Sequence, residues 1–268
     1  MSSAQTRRRL GWALRRWGHV AITLALGAGT YLLWHWVTAT ERVKAVVLPP
    51  PHVVWQSIID VTGHDSFNEH LRTTASEILA GFALGAVSAI CTALLCDHLP
   101  GLRQVVTPYM VALQALPKIV LLPLLFVWFD VGFRATTVLV VLVVFFPVYL
   151  NTLTGFASAD PDGTRLLMSL GASPSQRFRY HRVPSALPLV FAGCKTAVNF
   201  AVAAALSAEL LGSRYGLGFL IANSGNFLRI DDLYATVVIT ALFAGAFYIV
   251  FEIVDRKVIF WQPRDEKP

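Results

Sequence analysis

Two charged side chains sit inside long apolar runs: Lys118 in LPKIVLLPLLFVWF and Glu209 in AAALSAELLG. Burying an unpaired charge in such surroundings is costly, so each must find a partner or face an aqueous path. An ammonium facing a path would suit an anionic solute. The competing reading is structural pairing, with Glu209 or a neighbouring carbonyl as the partner of Lys118, and helix packing or a gate as the role of Glu209. Lys195, near the end of its run, can extend its stem to the interface. His64, Asp65, Glu69 and His70 could ligate a metal if they converged, but their stretch HDSFNEH reads as a solvated loop. Cys91, Cys96 and Cys194 are odd in number and lack metal-site spacing, so they read as small packing residues.

No Ser-His-Asp, Cys-His or paired-carboxylate set has supporting context, and no catalytic, cofactor or metal residue is assigned. No lysine directly follows a glycine, which excludes a Walker A phosphate loop. Any ATP-derived work must come from another chain.

A second group of residues is basic and compact. DPDGTRLLMSLGASPSQRFRYHRVPSALP, residues 160–188, lies between apolar runs. Asp160 then Pro161 starts a helix, and Gly171 stops it. Leu166, Leu167 and Leu170 give that short helix one apolar face, too small to be stable without something to dock against. Ser173 to Gln176 reads as a capping box opening a second helix, which carries Arg177, Arg179 and Arg182 and is expected to close at Pro184. From caps and charge alone, an interfacial loop touching lipid phosphates is an equal reading.

The elements that hold these groups are membrane spans. The chain has 268 residues, of which 55% are hydrophobic and 14% charged. Soluble domains carry roughly 25% charge. Apolar runs of about 20 residues, enough to cross a bilayer core, fall near 19–38, 73–96, 105–129, 135–155, 188–211 and 233–254. Because the runs are continuous rather than alternating, they predict helices and not a β-barrel. The fold class is thus an all-α integral membrane protein with about six transmembrane helices.

Counting Lys and Arg with the amino terminus inside gives 14 in the cytoplasmic segments against 6 outside. That places both termini in the cytoplasm. The net charge of +6 is accounted for by topology and attraction to lipid head groups, and it calls for no nucleic-acid partner. The chain divides into a basic cytoplasmic amino terminus (1–18), a first anchor (19–38), an external linker with an amphipathic segment after Pro49-Pro50-Pro51 (39–72), a core (73–255) with a loop at 156–187, and a cytoplasmic tail (256–268). The anchor is too long for a secretory h-region and lacks a cleavage site.

Packing signals are clear in two spans. Gly81 and Gly85 make a small-xxx-small pair, and Gly193, Ala197, Ala201, Ala205 and Glu209 form an inclined ridge that a neighbouring helix should cross. Pro108, Pro117 and Pro123 should kink the third span, freeing carbonyls near 113 and 119.

The spacing from Gly171 through His181 to Val183 and Pro184 resembles the "EAA" loop of ABC-importer permeases, EAA-x3-G-x9-I-x-L-P. LPPPHVVWQSI, HLRTTASEILAGFALG, LPKIVLLPLLFVWFDVG and LSAELLGSRYGLGFLI resemble the nitrate/sulfonate/taurine branch of that family. The resemblance implies a type I importer permease fold in the bacterial inner membrane and a cytoplasmic coupling helix. It also implies two copies of an ATPase subunit, a periplasmic or lipoprotein solute-binding protein and a second permease copy, for which a homodimer is expected. The ATPase-coupling residues it implies are Asp160, Arg165, Leu166, Leu167, Leu170, Gly171, Ala172, Arg177, Pro184 and Pro188. The family's glutamate is Arg165 here and its two alanines are Leu166 and Leu167, so no specific salt bridge carries over. The function implied is an ATP-driven path for a small anionic solute, with Lys118 and Glu209 as path candidates. The competing class is an ion-gradient-driven secondary transporter, against which stand the scarcity of intramembrane acids and the absence of a visible inverted repeat.

Overall fold

The computed structural model describes residues 3–40 and 42–261, residues 3–20 and 100 by backbone alone. The basic side chains expected in the amino-terminal segment, and residues 262–268 of the expected tail, lie outside the described residues.

The described residues form helices with no strand. In chain order these are α1 (Ser3–Ala39), α2 (Pro51–Gly63), α3 (Phe67–His98), α4 (Pro100–Gln114), α5 (Leu122–Phe129), α6 (Phe133–Ala157), α7 (Pro161–Ser169), α8 (Pro174–Arg177), α9 (Val183–Gly212), α10 (Leu217–Asn226) and α11 (Ile230–Val258). Among the described residues, four helical stretches are long and apolar enough to span a membrane: α3, α6, the continuous stretch Pro174–Gly212 and α11. A fifth candidate is α4 with α5, bent by 88°. The expected first span, 19–38, falls within α1 and in part among residues described by backbone alone. Pro51 opens α2, where its missing amide costs nothing.

α6 is the centre of the bundle, packed between α3 and α9. Close approach is made by glycine. A Cβ at Gly85 would lie 2.9 Å from the Val141 carbonyl oxygen, and one at Gly193 would lie 2.9 Å from that of Pro147. The small-residue pair of α3 and the ridge of α9 therefore both seat against α6, at successive heights along it, as packing without a hydrophobic drive requires. Ala197, Ala201 and Ala205 are fully buried along that ridge.

The prolines of the third span act unequally. Pro108 stays inside α4. The break comes at Pro117, which cannot donate to Leu113, so the Leu116 amide takes that carbonyl in a tighter turn at 3.3 Å. Pro123 likewise cannot reach Ile119, whose carbonyl accepts from the Leu122 amide. The two carbonyls expected to be freed are thus satisfied by short turns, and a 3₁₀ turn at Lys118–Leu121 joins the two halves.

Candidate functional site

The loop after α6 folds as the caps dictate. Asp160 accepts from the amides of Asp162 and Gly163 at 3.1 and 3.2 Å and so caps α7. α7 ends in a Schellman motif: Ala172 N donates to Leu167 O at 2.9 Å, Gly171 N to Met168 O at 3.0 Å, and Gly171 takes φ +75°. Ser173 and Gln176 form the reciprocal capping box that opens α8.

Two details depart from the sequence-based expectation. Pro184 does not close the second helix. A wide π-turn at Phe178–Arg182, closed by Val183 N on Phe178 O, makes room for the pyrrolidine ring, and the helix runs on through Pro184 and Pro188 as α9. The apolar face of α7 also divides: Leu166 and Leu170 are 61% and 73% exposed, while Leu167 turns partly inward. Met168 and Tyr180 join the exposed set. Arg165 projects into solvent and pairs with Asp162 at 2.9 Å, an exposed contact worth no more than about 1 kcal/mol. Ala172 and Arg177 are half-buried, and the Arg177 Nε is buried without an acceptor among the described residues.

The loop is anchored to the bundle. His181 Nε2 is hydrogen-bonded to the Asp160 carbonyl at 2.9 Å, tying the start of α7 to the π-turn. Arg182 donates to Asp97 Oδ1 at 2.8 Å and to the Phe156 carbonyl at 3.4 Å, joining the ends of α3 and α6. Phe178 stacks on Phe156 and meets His98 edge-on.

The intramembrane charges separate. Lys118, in the break between α4 and α5, donates to Gln114 O at 2.8 Å and lies 4.7 Å from the Phe146 ring centre. Its partner is the adjacent carbonyl, and Glu209 is elsewhere. Glu209 is 1% exposed. Its Oε1 accepts from Thr74 at 2.6 Å and its Oε2 from the Gly218 amide at 2.7 Å. Thr74 in turn accepts from Leu217 N at 2.8 Å, and His70 Nδ1 from Gly216 N at 3.1 Å. The amino-terminal amides of α10 are thereby held by side chains of α3 and α9, at the end where a helix favours negative charge. In this conformation Glu209 is a brace between three helices. His70, expected in a solvated loop, is instead buried in the first turn of α3 and stacked on Phe219. Lys195, expected to reach the interface, is paired with Glu252 of α11, which Arg256 also contacts.

Glu77 was missed, although an acid inside the 73–96 run was a signal of the same kind as Glu209. It is fully buried next to Glu209, and neither of its oxygens meets a donor at hydrogen-bond geometry among the described residues. The Thr74 and Arg182 contacts were also not anticipated. A lone acid at the end of a span, Asp97, was the available signal for the second of these.

A cavity of about 70 Å³ opens beside His70, lined by Asp60, His64, Ser224, Arg229 and Asp232 among others. At roughly 30 Å³ per water it accommodates solvent rather than an organic solute.

A family model described as the binding-protein-dependent transport system inner membrane component matches residues 81–260. The chain belongs to this family. Among curated relatives, the taurine transport system permease protein TauC of Escherichia coli K12 is 27% identical over 262 residues, covering 95% of this chain and 94% of its own. The formylaminopyrimidine transport permease protein ThiX of Halalkalibacterium halodurans is 29% identical, covering 87% and 92%. A putative aliphatic sulfonates transport permease protein, SsuC of Bacillus subtilis, is 25% identical over 96% of this chain and 90% of its own. In fold, the permease resembles the inward-facing MetNI methionine ABC transporter, with a TM-score of 0.59 at 15% identity over 71% of this chain and 94% of that one. It also resembles an amino acid ABC transporter crystallised with histidines, with a TM-score of 0.61 at 16% identity over 75% and 97%. This permease is accordingly a membrane-spanning subunit of an ABC importer and not an enzyme, and it works with an ATPase and a solute-binding protein.

Proposed function

We propose that this permease forms, as a homodimer, an inner-membrane path for a small anionic solute of the nitrate, sulfonate or taurine type, and that the 160–182 loop couples it to two ATPase subunits. The observation that carries the reading is the break between α4 and α5. Non-helical backbone at membrane depth is tolerated only where it lines water or is covered by protein. Residues 115–117 are exposed on the protomer, and so are Tyr109, Val120, Val127 and Trp128 on either side of them. A second copy seated on this apolar surface would cover it and leave Lys118 facing the shared axis, where an ammonium attracts anions. The taurine and aliphatic sulfonate permeases among the relatives favour an anion.

Coupling is supported by α7. A nine-residue amphipathic helix presenting Leu166, Met168 and Leu170 to solvent needs a partner groove, and a cytoplasmic ATPase supplies one. Both termini then lie in the cytoplasm, in agreement with the Lys and Arg distribution. ATP-driven closure of the ATPases moves α7, and the continuous helix from Pro174 to Gly212 carries that movement to the outer end of the bundle.

The test is reconstitution of the permease with its cognate ATPase and binding protein, followed by uptake of labelled taurine, an alkanesulfonate and nitrate. Lys118→Met should cut uptake of the accepted anion by more than about tenfold, the loss of one charge-assisted contact, and leave ATPase association intact. Undiminished uptake through Lys118→Met, or transport of neutral solutes alone, overturns the anion reading.

A further inference from the structure

We infer that Arg182 is a positioning residue for energy coupling: its clasp on Asp97 makes the cytoplasmic end of α3 move together with the coupling loop. The inference deepens the coupling function proposed above and rests on it.

Three elements carry the loop's movement into the membrane, and they are attached in different ways. α9 is joined covalently, because the π-turn continues into it. α6 is joined covalently through residues 158–160 and by the Phe178 ring stacked on Phe156. α3 has no such continuity, since more than sixty residues separate Asp97 from α7. Its polar attachment to the loop is Arg182, whose Nη2 donates to Asp97 Oδ1 at 2.8 Å. The His98 edge on Phe178 is an apolar contact of the same corner and can slide.

The setting favours a firm link. The Asp97 side chain is 5% exposed, so its charge is largely withdrawn from water and depends on the guanidinium. The other Asp97 oxygen meets no donor among the described residues. Arg182 also reaches the Phe156 carbonyl, so one side chain bridges the ends of α3 and α6 from the π-turn. Guanidinium geometry suits this double duty, and a lysine in its place offers only a point charge. Without the clasp, α7 and α9 could shift while α3 stayed behind. The Thr74 to Glu209 brace at the far end of α3 would then receive movement from α9 alone.

The experiment uses the complete permease–ATPase complex in nanodiscs, with Cys91 replaced by serine and spin labels placed at Leu95 of α3 and Ser169 of α7. Distances are measured without nucleotide and after trapping with ATP and vanadate, beside ATP hydrolysis. The intact complex should give one narrow distance in both states. Asp97→Asn should leave hydrolysis within about twofold and the nucleotide-free distance narrow, but broaden the trapped distance; Arg182→Lys should do so to a lesser degree. The charge swap Asp97→Arg with Arg182→Asp should restore the narrow trapped distance, the pairwise signature of a direct contact. A trapped distance that stays narrow in Asp97→Asn overturns the inference. So does broadening already present without nucleotide and not rescued by the swap, which marks a merely structural role. A wild-type complex that binds no ATPase instead sinks the coupling function itself, and is recognised before any variant is made.

Discussion

Thr74 Oγ1 donates to Glu209 Oε1 at 2.6 Å, closing a contact between α3 and α9 that spans 135 positions of the sequence. The same hydroxyl oxygen accepts from Leu217 N, and the same carboxylate accepts from Gly218 N. Three helices therefore meet on two side chains, and both are buried.

Removing the carboxylate should be expensive. Glu209→Ala leaves the Gly218 amide and the Thr74 hydroxyl without their acceptor in a buried site, at a cost of about 3 kcal/mol. Gly216, at φ +113°, has no room for a methyl group beside that carboxylate, so Gly216→Ala should weaken the same corner. Thermal melting of the purified permease in detergent checks both, and a melting curve like that of the parent protein for Glu209→Ala would show that the brace contributes little.

Glu77 is expected to behave in the opposite way. Its buried oxygens meet no donor at hydrogen-bond geometry among the described residues and lie beside the Glu209 carboxyl group. Glu77→Gln supplies a fixed amide donor next to Glu209, and stability should hold or rise by about 1 kcal/mol. A clear fall in melting temperature counts against this.

The exposed leucines of α7 separate stability from coupling. Leu166→Glu and Leu170→Glu alter side chains that are mostly in solvent, so melting should shift by no more than about 0.5 kcal/mol. Co-purification with the ATPase, and uptake, should nevertheless drop by about tenfold or more, as for loss of an apolar anchor. Normal uptake in either variant would refute the docking role of this face.

Overfilling the α3–α6 contact gives a fourth expectation. Gly85→Leu drives a side chain into Val144 and the Val141 carbonyl, which rigid helix packing accommodates poorly. Destabilisation of about 2 kcal/mol or more is expected, together with loss of folded protein on size-exclusion chromatography.

What was legible in the sequence was local. Asp160, Gly171 and the Ser173–Gln176 pair announce their caps because capping depends on residues two to five apart, and Pro117 announces its break because a missing amide acts on its own helix. The small residues at 81, 85 and 193 to 205 also reveal their packing ridges, though not which helix they meet. Contacts across the bundle leave no such mark. Whether Glu209 meets Thr74 or Lys118 depends on helix register and rotation, which periodicity does not fix. The Asp97 to Arg182 contact hides for the same reason. Pro184 misled because a proline usually ends a helix, and the wide turn that absorbs it has no compositional signature.

That wide turn also acts as a phase setting. A π-turn inserts one residue beyond the α-helical count, and one residue of α-helix corresponds to about 100° of rotation and 1.5 Å of rise. Residues 178–182 therefore determine the compass bearing at which α8, and α7 before it, leave the axis of α9. Deleting a single residue there would keep every helix and every cap yet swing the exposed leucines to another side of the molecule. The direction in which this permease presents Leu166 and Leu170 to its surroundings is held by one extra peptide unit.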